Sequence, residues 1–572
     1  MRDRTKTAVS LFAALAAIAA TPAIANGQAS RSLAGWQHAV IYEVYPRSFG
    51  DTNGDGIGDL NGITEHLDYL ADLGIDAIWI TPFYPSPQVD FGYDISDYKT
   101  IDPRYGTMAD FDRLVAEANK RNIRIVTDLV LNHTSDQHPW FLESRSSQKN
   151  PKADWYVWHD AKPGGKPPNN WQSGFGSSAW QWSAMRGQYY YHMFYREQPD
   201  LNWNNRDVRN AMYDIMRFWL KRGVAGFRLD AVDMLFEDRL FRDERVIGGV
   251  DAFGGPLVAH EYTANLPEVH GVLRELRRVT DEFPDRVLIG ETYVPDVLEL
   301  AKMYGTKNDE LQLPMDTPFG FLNRLSADGL RSKLREASTQ LKGNDPLFVF
   351  DNHDNPRSWN RYGDGVHDAA IARLLAILLL TPRCAALLYY GEEIGMANND
   401  PARREDVRDP IGISGWPREK GRDGERTPMQ WDAGPHAGFS NAPATWLPVA
   451  PNYKERNVAA ERRDPDSLFN FYKTLIHLRK TNAALRDGNF ILVNDTDHDV
   501  LSYLRRSSDG KVVLVAVNLS AGNRRVSFDL RAQGVNGSRA VTLLSSYAKQ
   551  GQSTDLKGMV LPPYGGWVGQ IQ

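Results

Sequence analysis

A rhythm constrains this chain more than anything else in it. Short apolar runs recur between residues 39 and 390, and most are followed by a stretch of helical periodicity. Residues 39–45, 76–82 and 124–130 read as strands, and residues 63–73 read as a helix. A second helix over 108–121 places Phe111, Leu114, Val115 and Ala118 at i, i+3, i+4 and i+7. A third over 210–222 carries a continuous apolar stripe of Met212, Ile215, Met216, Trp219 and Leu220, and Gly223 ends it. Further strands are expected at 226–231, 287–291, 310–315, 347–351 and 386–390. Strands alternating with helices of this length call for βαβ units and a parallel sheet. Eight of them suit an α/β fold closed on itself as a (β/α)8 barrel of the TIM type.

The rhythm breaks in three places. The first residues belong to no fold element: Arg2, Arg4 and Lys6 precede a short apolar run, and Ala23-Ile24-Ala25 offers a cleavage site. This is the pattern of a secretory signal peptide over 1–25, too short and alanine-rich for a membrane span. From 132 to 202 the chain is rich in Trp, Tyr, Gly, Pro and Asn without a period. A structureless loop of that length does not suit a compact domain, so a small inserted domain is expected there, after the third strand. The barrel then occupies 33–131 and 203–487. From 488 to 572 short alternating runs predict a C-terminal antiparallel β-sandwich, with strands near 500–504, 511–517, 525–530, 541–544 and 559–561.

The leader carries three positive residues and one negative, so its removal takes the formal charge from −6 to −8. A mildly acidic chain without lysine or arginine runs is a poor fit to nucleic acid, and none of it is expected to hold a membrane after cleavage. Cys384 is the only cysteine, which excludes an internal disulfide. Nothing in the sequence fixes an oligomeric state.

The chemistry gathers at strand ends. In Gly226-Phe227-Arg228-Leu229-Asp230-Ala231, Arg228 and Asp230 lie two apart on a strand and project together. A guanidinium beside a carboxylate favours the anion. Glu291 ends the apolar run Leu288-Ile289-Gly290, where partial burial suits it to general acid work. His353 and Asp354 close Phe348-Val349-Phe350-Asp351-Asn352. Asp128 and His133 stand at the end of another strand. Two carboxyl groups of opposite protonation flanking one bond are the equipment of a glycosidase.

These motifs resemble the α-amylase family, glycoside hydrolase family 13, and its bacterial and insect α-glucosidases. Four carry the resemblance in family order: Asp128-Leu129-Val130-Leu131-Asn132-His133, Gly226 to Ala231, Gly290-Glu291, and Phe350-Asp351-Asn352-His353-Asp354. The resemblance implies that Asp230 is the nucleophile and Glu291 the general acid and base. Asp354 would hold the distorted sugar, and Arg228 would orient Asp230. It also implies that His133, His353 and Asp94 grip hydroxyls of one glucose while Tyr93 stacks on its face. Arg426, in Arg426-Thr427-Pro428-Met429-Gln430-Trp431, resembles the arginine that closes the pocket in exo-acting members, and Phe175 and Phe194 match aromatic positions lining it. The residue after the nucleophile tracks linkage preference in these relatives, and Ala231 goes with α-1,4 bonds. The implied activity is a secreted, retaining α-glucosidase acting on maltose-like and sucrose-like substrates. A transglucosylase or glucosyl isomerase would share the same covalent intermediate. A non-catalytic sugar-binding protein on this fold would be expected to lack one or more of the three carboxylates, and all three are present.

The loop 51–59 has oxygen-bearing residues at alternate positions with glycines between, like the first part of a calcium loop. It lacks a bidentate Glu at the twelfth place, which is Gly62. The family resemblance implies structural Ca2+ held by Asp51, Asn53, Asp55, the Ile57 carbonyl and Asp59. No organic cofactor is implied.

Overall fold

A computed structural model describes residues 35–572. The leader lies outside the described residues. Eight strands close a parallel barrel in sequential order: β1 (Val40–Val44), β2 (Ala77–Ile80), β3 (Arg124–Val130), β4 (Gly226–Asp230), β5 (Val287–Gly290), β6 (Leu313–Asp316), β7 (Leu347–Val349) and β8 (Ala385–Tyr389). β8 returns to pair with β1, Val40 opposite Ala386.

Side-chain alternation along each strand builds two cores. Ile41, Ala77, Trp79, Val126, Val287, Ile289, Leu347 and Leu387 fill the inside of the barrel. Their neighbours Val40, Tyr42, Ile78, Ile80, Phe227, Leu229 and Leu288 pack outward against the helices. At the C-terminal end of the barrel the inward positions turn polar. Glu43, Asp128, Arg228, Asp230 and Glu291 each lie two residues on, or a multiple of two, from an inward apolar or glycine position, so the fold aims them all at one place. Gly226 opens β4 because β5 comes too close for any side chain: a Cβ there would stand 2.1 Å from the Val287 carbonyl oxygen.

Helix boundaries shift from the periodic reading where caps decide them. The helix expected at 210 begins at Arg206, because the Asn205 side chain accepts from the Asp207 amide. The helix expected over 63–73 is two, Leu60–Glu65 and Leu67–Leu73, broken at His66, whose ring stacks on Trp431 at 3.5 Å. Between β3 and β4 the chain forms a three-stranded antiparallel sheet of Trp158–His159, Trp180–Ser183 and Gln188–Tyr191, with an apolar cluster around Trp171 and Trp180. After the barrel, six antiparallel strands from Asn489–Val493 to Gly566–Ile571 and a separate pair, Arg524–Val526 with Met559–Leu561, enclose a core around Trp567. The strand expected over 525–530 is therefore short. Among the described residues no helix is long and apolar enough to cross a membrane.

Candidate active site

Arg228 organises the mouth of the barrel. In register it faces Asp128 of β3 on one side and Ile289 of β5 on the other. Its guanidinium therefore reaches three carboxylates. Nη1 lies 3.1 Å from Asp128 and 2.6 Å from Asp230, while Nη2 lies 2.6 Å from Glu291. One planar cation thus bridges the two carboxyl groups read as nucleophile and acid. The strand ends at Asp230, and Ala231 turns the chain with φ 41° and ψ 44°. That left-handed turn presents the Ala231 amide to the second oxygen of Glu291 at 2.9 Å. A non-glycine residue in this region carries roughly 1–2 kcal/mol of strain.

Burial pushes the Asp230 carboxyl up to about 7, with Arg228 pulling the other way. Burial likewise pushes Glu291 up to about 7 against the same arginine. The arginine in the Arg-x-Asp pattern is thus not the private partner of Asp230; it is divided among three groups. Both carboxyl groups are thus raised into the range in which an acid and a base can each work at neutral pH.

Asp354 is treated differently. Its Oδ1 takes Arg422 at 3.0 Å and Arg426 at 2.8 Å, and its Oδ2 lies 3.2 Å from Nε2 of His353. Burial alone would raise this carboxyl, but the adjoining His353 ring, through its Nε2 edge, and the Arg422 and Arg426 guanidinium groups outweigh it and hold Asp354 below the usual carboxylate range. It is an anion throughout the working range of pH.

These groups surround a cavity of about 300 Å³, lined by Tyr93, His133, Phe175, Phe194, Asp230, Ala231, Glu291 and Asp354 among others. The volume sits at the lower end for ligand pockets. Tyr93 lies flat on His353, ring centroids 5.3 Å apart and planes 6° apart. His133 is neutral, since burial lowers it to about 3.

Three expected contacts are corrected. Asp94 does not line the cavity: its carboxylate is spent beneath the floor on the Ser86 hydroxyl and the amides of Val89 and Asp90. Asp90 lines the cavity instead, paired with Arg422 at 2.7 Å. Arg426 is likewise wholly buried, holding Asp354 and the His353 carbonyl, and Arg422 is the arginine at the cavity wall. Arg422 is steered by Asp409, whose carboxylate takes its Nε at 2.7 Å and its backbone amide at 2.8 Å. His353 is fully buried, bonded to Tyr93 and Glu43, and reaches the cavity only through Asp354 and Tyr93. Sequence reading missed Asp90, Arg422, Asp409 and Glu43. The first two stand four residues before Asp94 and Arg426, on the same loops.

In the loop 51–59, Asp51, Asn53 and Asp55 each accept the backbone N–H two residues on, which folds the loop into tight turns. Asp59 caps the helix Leu60–Glu65 and also takes the Thr52 amide. The donors are hard oxygens, the type Ca2+ takes. Among the described residues no three acidic, histidine or cysteine side chains converge as ready metal ligands, so a cation here would draw on the Asn53 amide and the Ile57 carbonyl as well.

Comparison with known proteins decides the family. The model of the α-amylase catalytic domain matches residues 43–488. The chain belongs to the α-amylase family. A probable α-glucosidase of Rhizobium meliloti is 46% identical over 490 residues, 83% of this chain and 88% of the relative. An oligo-1,6-glucosidase of Parageobacillus thermoglucosidasius is 40% identical over 512 residues, 84% of this chain and 90% of the relative. Among solved structures, an isomaltulose synthase of Erwinia rhapontici, determined as a mutant with its natural substrate sucrose, superposes with a TM-score of 0.85 at 37% identity. That match covers 94% of this chain and 99% of the other. As an α-amylase family member the chain is a glycoside hydrolase by descent, and its relatives span hydrolases and glucosyl-transferring enzymes alike.

Proposed function

We propose that this protein is an exo-acting, retaining α-glucosidase that removes single glucoses from maltose-like oligosaccharides. The observation that carries the reading is the Asp230–Arg228–Glu291 bridge in a small pocket. Two carboxyl groups on the terminal nitrogens of one guanidinium suit the separation of about 5 Å used by retaining enzymes. Asp230 attacks the anomeric carbon as Glu291 gives its proton to the leaving oxygen. Glu291, now a base, draws a proton from water as the water oxygen attacks the anomeric carbon and displaces the Asp230 carboxylate, which releases glucose with its configuration retained. Asp354 stabilises the positive charge that builds on the ring at each step. The Asp90–Arg422 pair and the Phe175 ring wall the pocket, which supports a single glucose unit over an internal segment of polymer. Ala231, small and held in a left-handed turn, leaves room beside the nucleophile, which supports α-1,4 bonds.

A panel of kcat/KM values over maltose, isomaltose, sucrose, trehalose and starch tests the reading. Maltose is expected to lead and starch to trail, and the reverse order sinks it. The likeness to an isomaltulose synthase favours a second reading, a transglucosylase or isomerase. Incubation with sucrose or maltose separates the two: free glucose marks hydrolysis, new disaccharides mark transfer. Secretion is also proposed, on the basic and apolar leader, and N-terminal sequencing of the exported protein beginning near Asn26 checks it. Structural calcium in the loop 51–59 is proposed on its oxygen donors. A melting temperature that rises with added Ca2+ and falls with chelator is expected, and no change counts against it.

A further inference from the structure

We propose that Glu43 is a positioning residue that stays protonated and, as a neutral carboxylic acid, donates its hydrogen to Nδ1 of His353. The proposal rests on the reading of the pocket as a glucosidase site.

Glu43 points into the barrel from β1, in register with Trp79 on one side and Tyr389 on the other. Its Oε1 lies 2.6 Å from Nδ1 of His353, and both side chains are wholly buried. The hydrogens around that ring can be assigned by elimination. Nε2 faces two oxygens, the Tyr93 hydroxyl at 2.7 Å and Asp354 Oδ2 at 3.2 Å. The Tyr93 hydroxyl owns one hydrogen and also lies 3.0 Å from Asp128 Oδ2. Asp128 takes Arg228 on both oxygens and the Trp79 indole N–H besides, so although burial pushes it up to about 6, above that value it is an anion and an acceptor only. The Tyr93 hydrogen therefore goes to Asp128. The tyrosine oxygen can then only accept from Nε2, and so can the Asp354 anion. Nε2 carries a hydrogen.

Nδ1 leaves two arrangements. Either the ring is an imidazolium against a Glu43 anion, or the ring is neutral and Glu43 is the acid. Among the described residues no group hydrogen-bonds the second oxygen of Glu43, and the nearby His353 backbone N–H favours the anion less than Arg228 does. A carboxylate would leave negative charge on that bare atom, whereas an acid leaves only an unbonded carbonyl, the cheaper state in a dry site. Burial pushes Glu43 well above and His353 well below their ordinary values, which agrees. Of the charged groups nearby, Arg228 favours the Glu43 anion, while Asp354 and Asp128 oppose it.

The consequence is a chain of fixed hydrogens from β1 to the nucleophile: Glu43 to His353, His353 to Tyr93 and Asp354, Tyr93 to Asp128, with Arg228 holding Asp128 and Asp230. Glu43 sets its direction without touching the sugar.

The test compares Glu43→Gln, whose amide can donate to Nδ1 and cannot titrate, with Glu43→Leu, which cannot donate. The Gln variant is expected to exceed the Leu variant at least tenfold in kcat/KM on maltose. The alkaline limb is set by Glu291 near 7, and a Glu43 that is already neutral adds no step of its own there, so the Gln variant should keep the wild-type limb. A Gln variant no better than Leu, or an alkaline limb that moves, overturns the proposal. Neutron diffraction of the wild type at about pH 7.5, where Asp128 is ionised, reads the same point without substrate: deuterium on Glu43 and on Nε2 supports it, deuterium on Nδ1 overturns it. A wild type that turns over no α-glucoside would sink the functional reading, and the neutron map alone would then decide Glu43.

Discussion

The two flanks of the pocket hold their carboxylates in opposite ways. On one, Arg422 and Arg426 both grip a single oxygen of Asp354, and two guanidinium groups serve Asp354, Asp90 and Asp409. On the other, Arg228 alone serves Asp128, Asp230 and Glu291. Burial is deep on both flanks, so the groups each carboxylate meets decide the outcome: Asp354 meets His353 and two guanidinium groups, while Asp90, which shares Arg422 with it, is raised by burial as Asp230 and Glu291 are. Asp354 is held as an anion, while Asp230 and Glu291 are left near 7. One flank is a fixed electrostatic cradle; the other holds the two carboxyl groups proposed for the proton and bond chemistry. An arginine beside a carboxylate in sequence therefore says little until its other partners are counted.

The comparison breaks most sharply at the nucleophile. Asp230→Asn removes the proposed nucleophile, and kcat on maltose should fall by about 10⁴-fold or more. Glucose should still bind in a calorimeter, because the cradle flank is intact. Activity near wild type would take Asp230 out of the mechanism. Glu291→Gln should lose roughly 10²–10⁴-fold on maltose, whose leaving group needs a proton. A p-nitrophenyl glucoside, whose leaving group does not, should suffer far less in its first step. Equal losses on both substrates would show that Glu291 is not the acid.

The cradle flank gives a smaller and pH-dependent effect. Arg422→Ala leaves Asp354 with Arg426 alone and strands Asp409, at a cost of about 3–5 kcal/mol in stability. In the protein that remains folded, Asp354 should rise toward its ordinary range. Because the anion is needed, activity should then disappear at a higher pH on the acid side than in the wild type. The acid limb of kcat/KM measures this directly, and a limb that stays put would place Asp354's charge under Arg426 alone.

The barrel was legible because strand and helix leave different periods in an apolar pattern, and β3 matches its expected bounds of 124–130. The carboxylates at the strand ends were legible for the same reason: alternation brings Arg228, Asp230 and Glu291 inward together. Loop residues were not. Between Asp90 and Asp94 the chain reverses through Phe91 at φ 45° and Gly92 at φ 118°, so which acid faces the cavity depends on a turn with no periodic signature. Arg422 is aimed by Asp90 and Asp409, contacts across the fold that spacing does not reveal. Glu43 sits within an apolar run, and only its His353 partner, 310 residues away, gives it meaning.

Stability against pH separates the flanks by sign. Glu291 is raised in the folded protein, so its contribution is present below its ordinary value and is lost as pH rises through about 7. Glu291→Gln does not titrate, so it should melt higher than the wild type at pH 8, with the difference shrinking toward pH 5. A raised value of this size is worth on the order of 1–3 kcal/mol, or a few degrees in Tm. Asp354 is depressed, so its contribution is present above its ordinary value and lost only as pH falls below it. Asp354→Asn should therefore melt lower than the wild type at pH 8, the more so because it leaves Arg422 and Arg426 facing an amide. Two carboxyl groups lining one cavity, replaced by their neutral counterparts, should thus move Tm in opposite directions. Calorimetry showing the same direction for both would mean that the groups each carboxylate meets do not govern their protons.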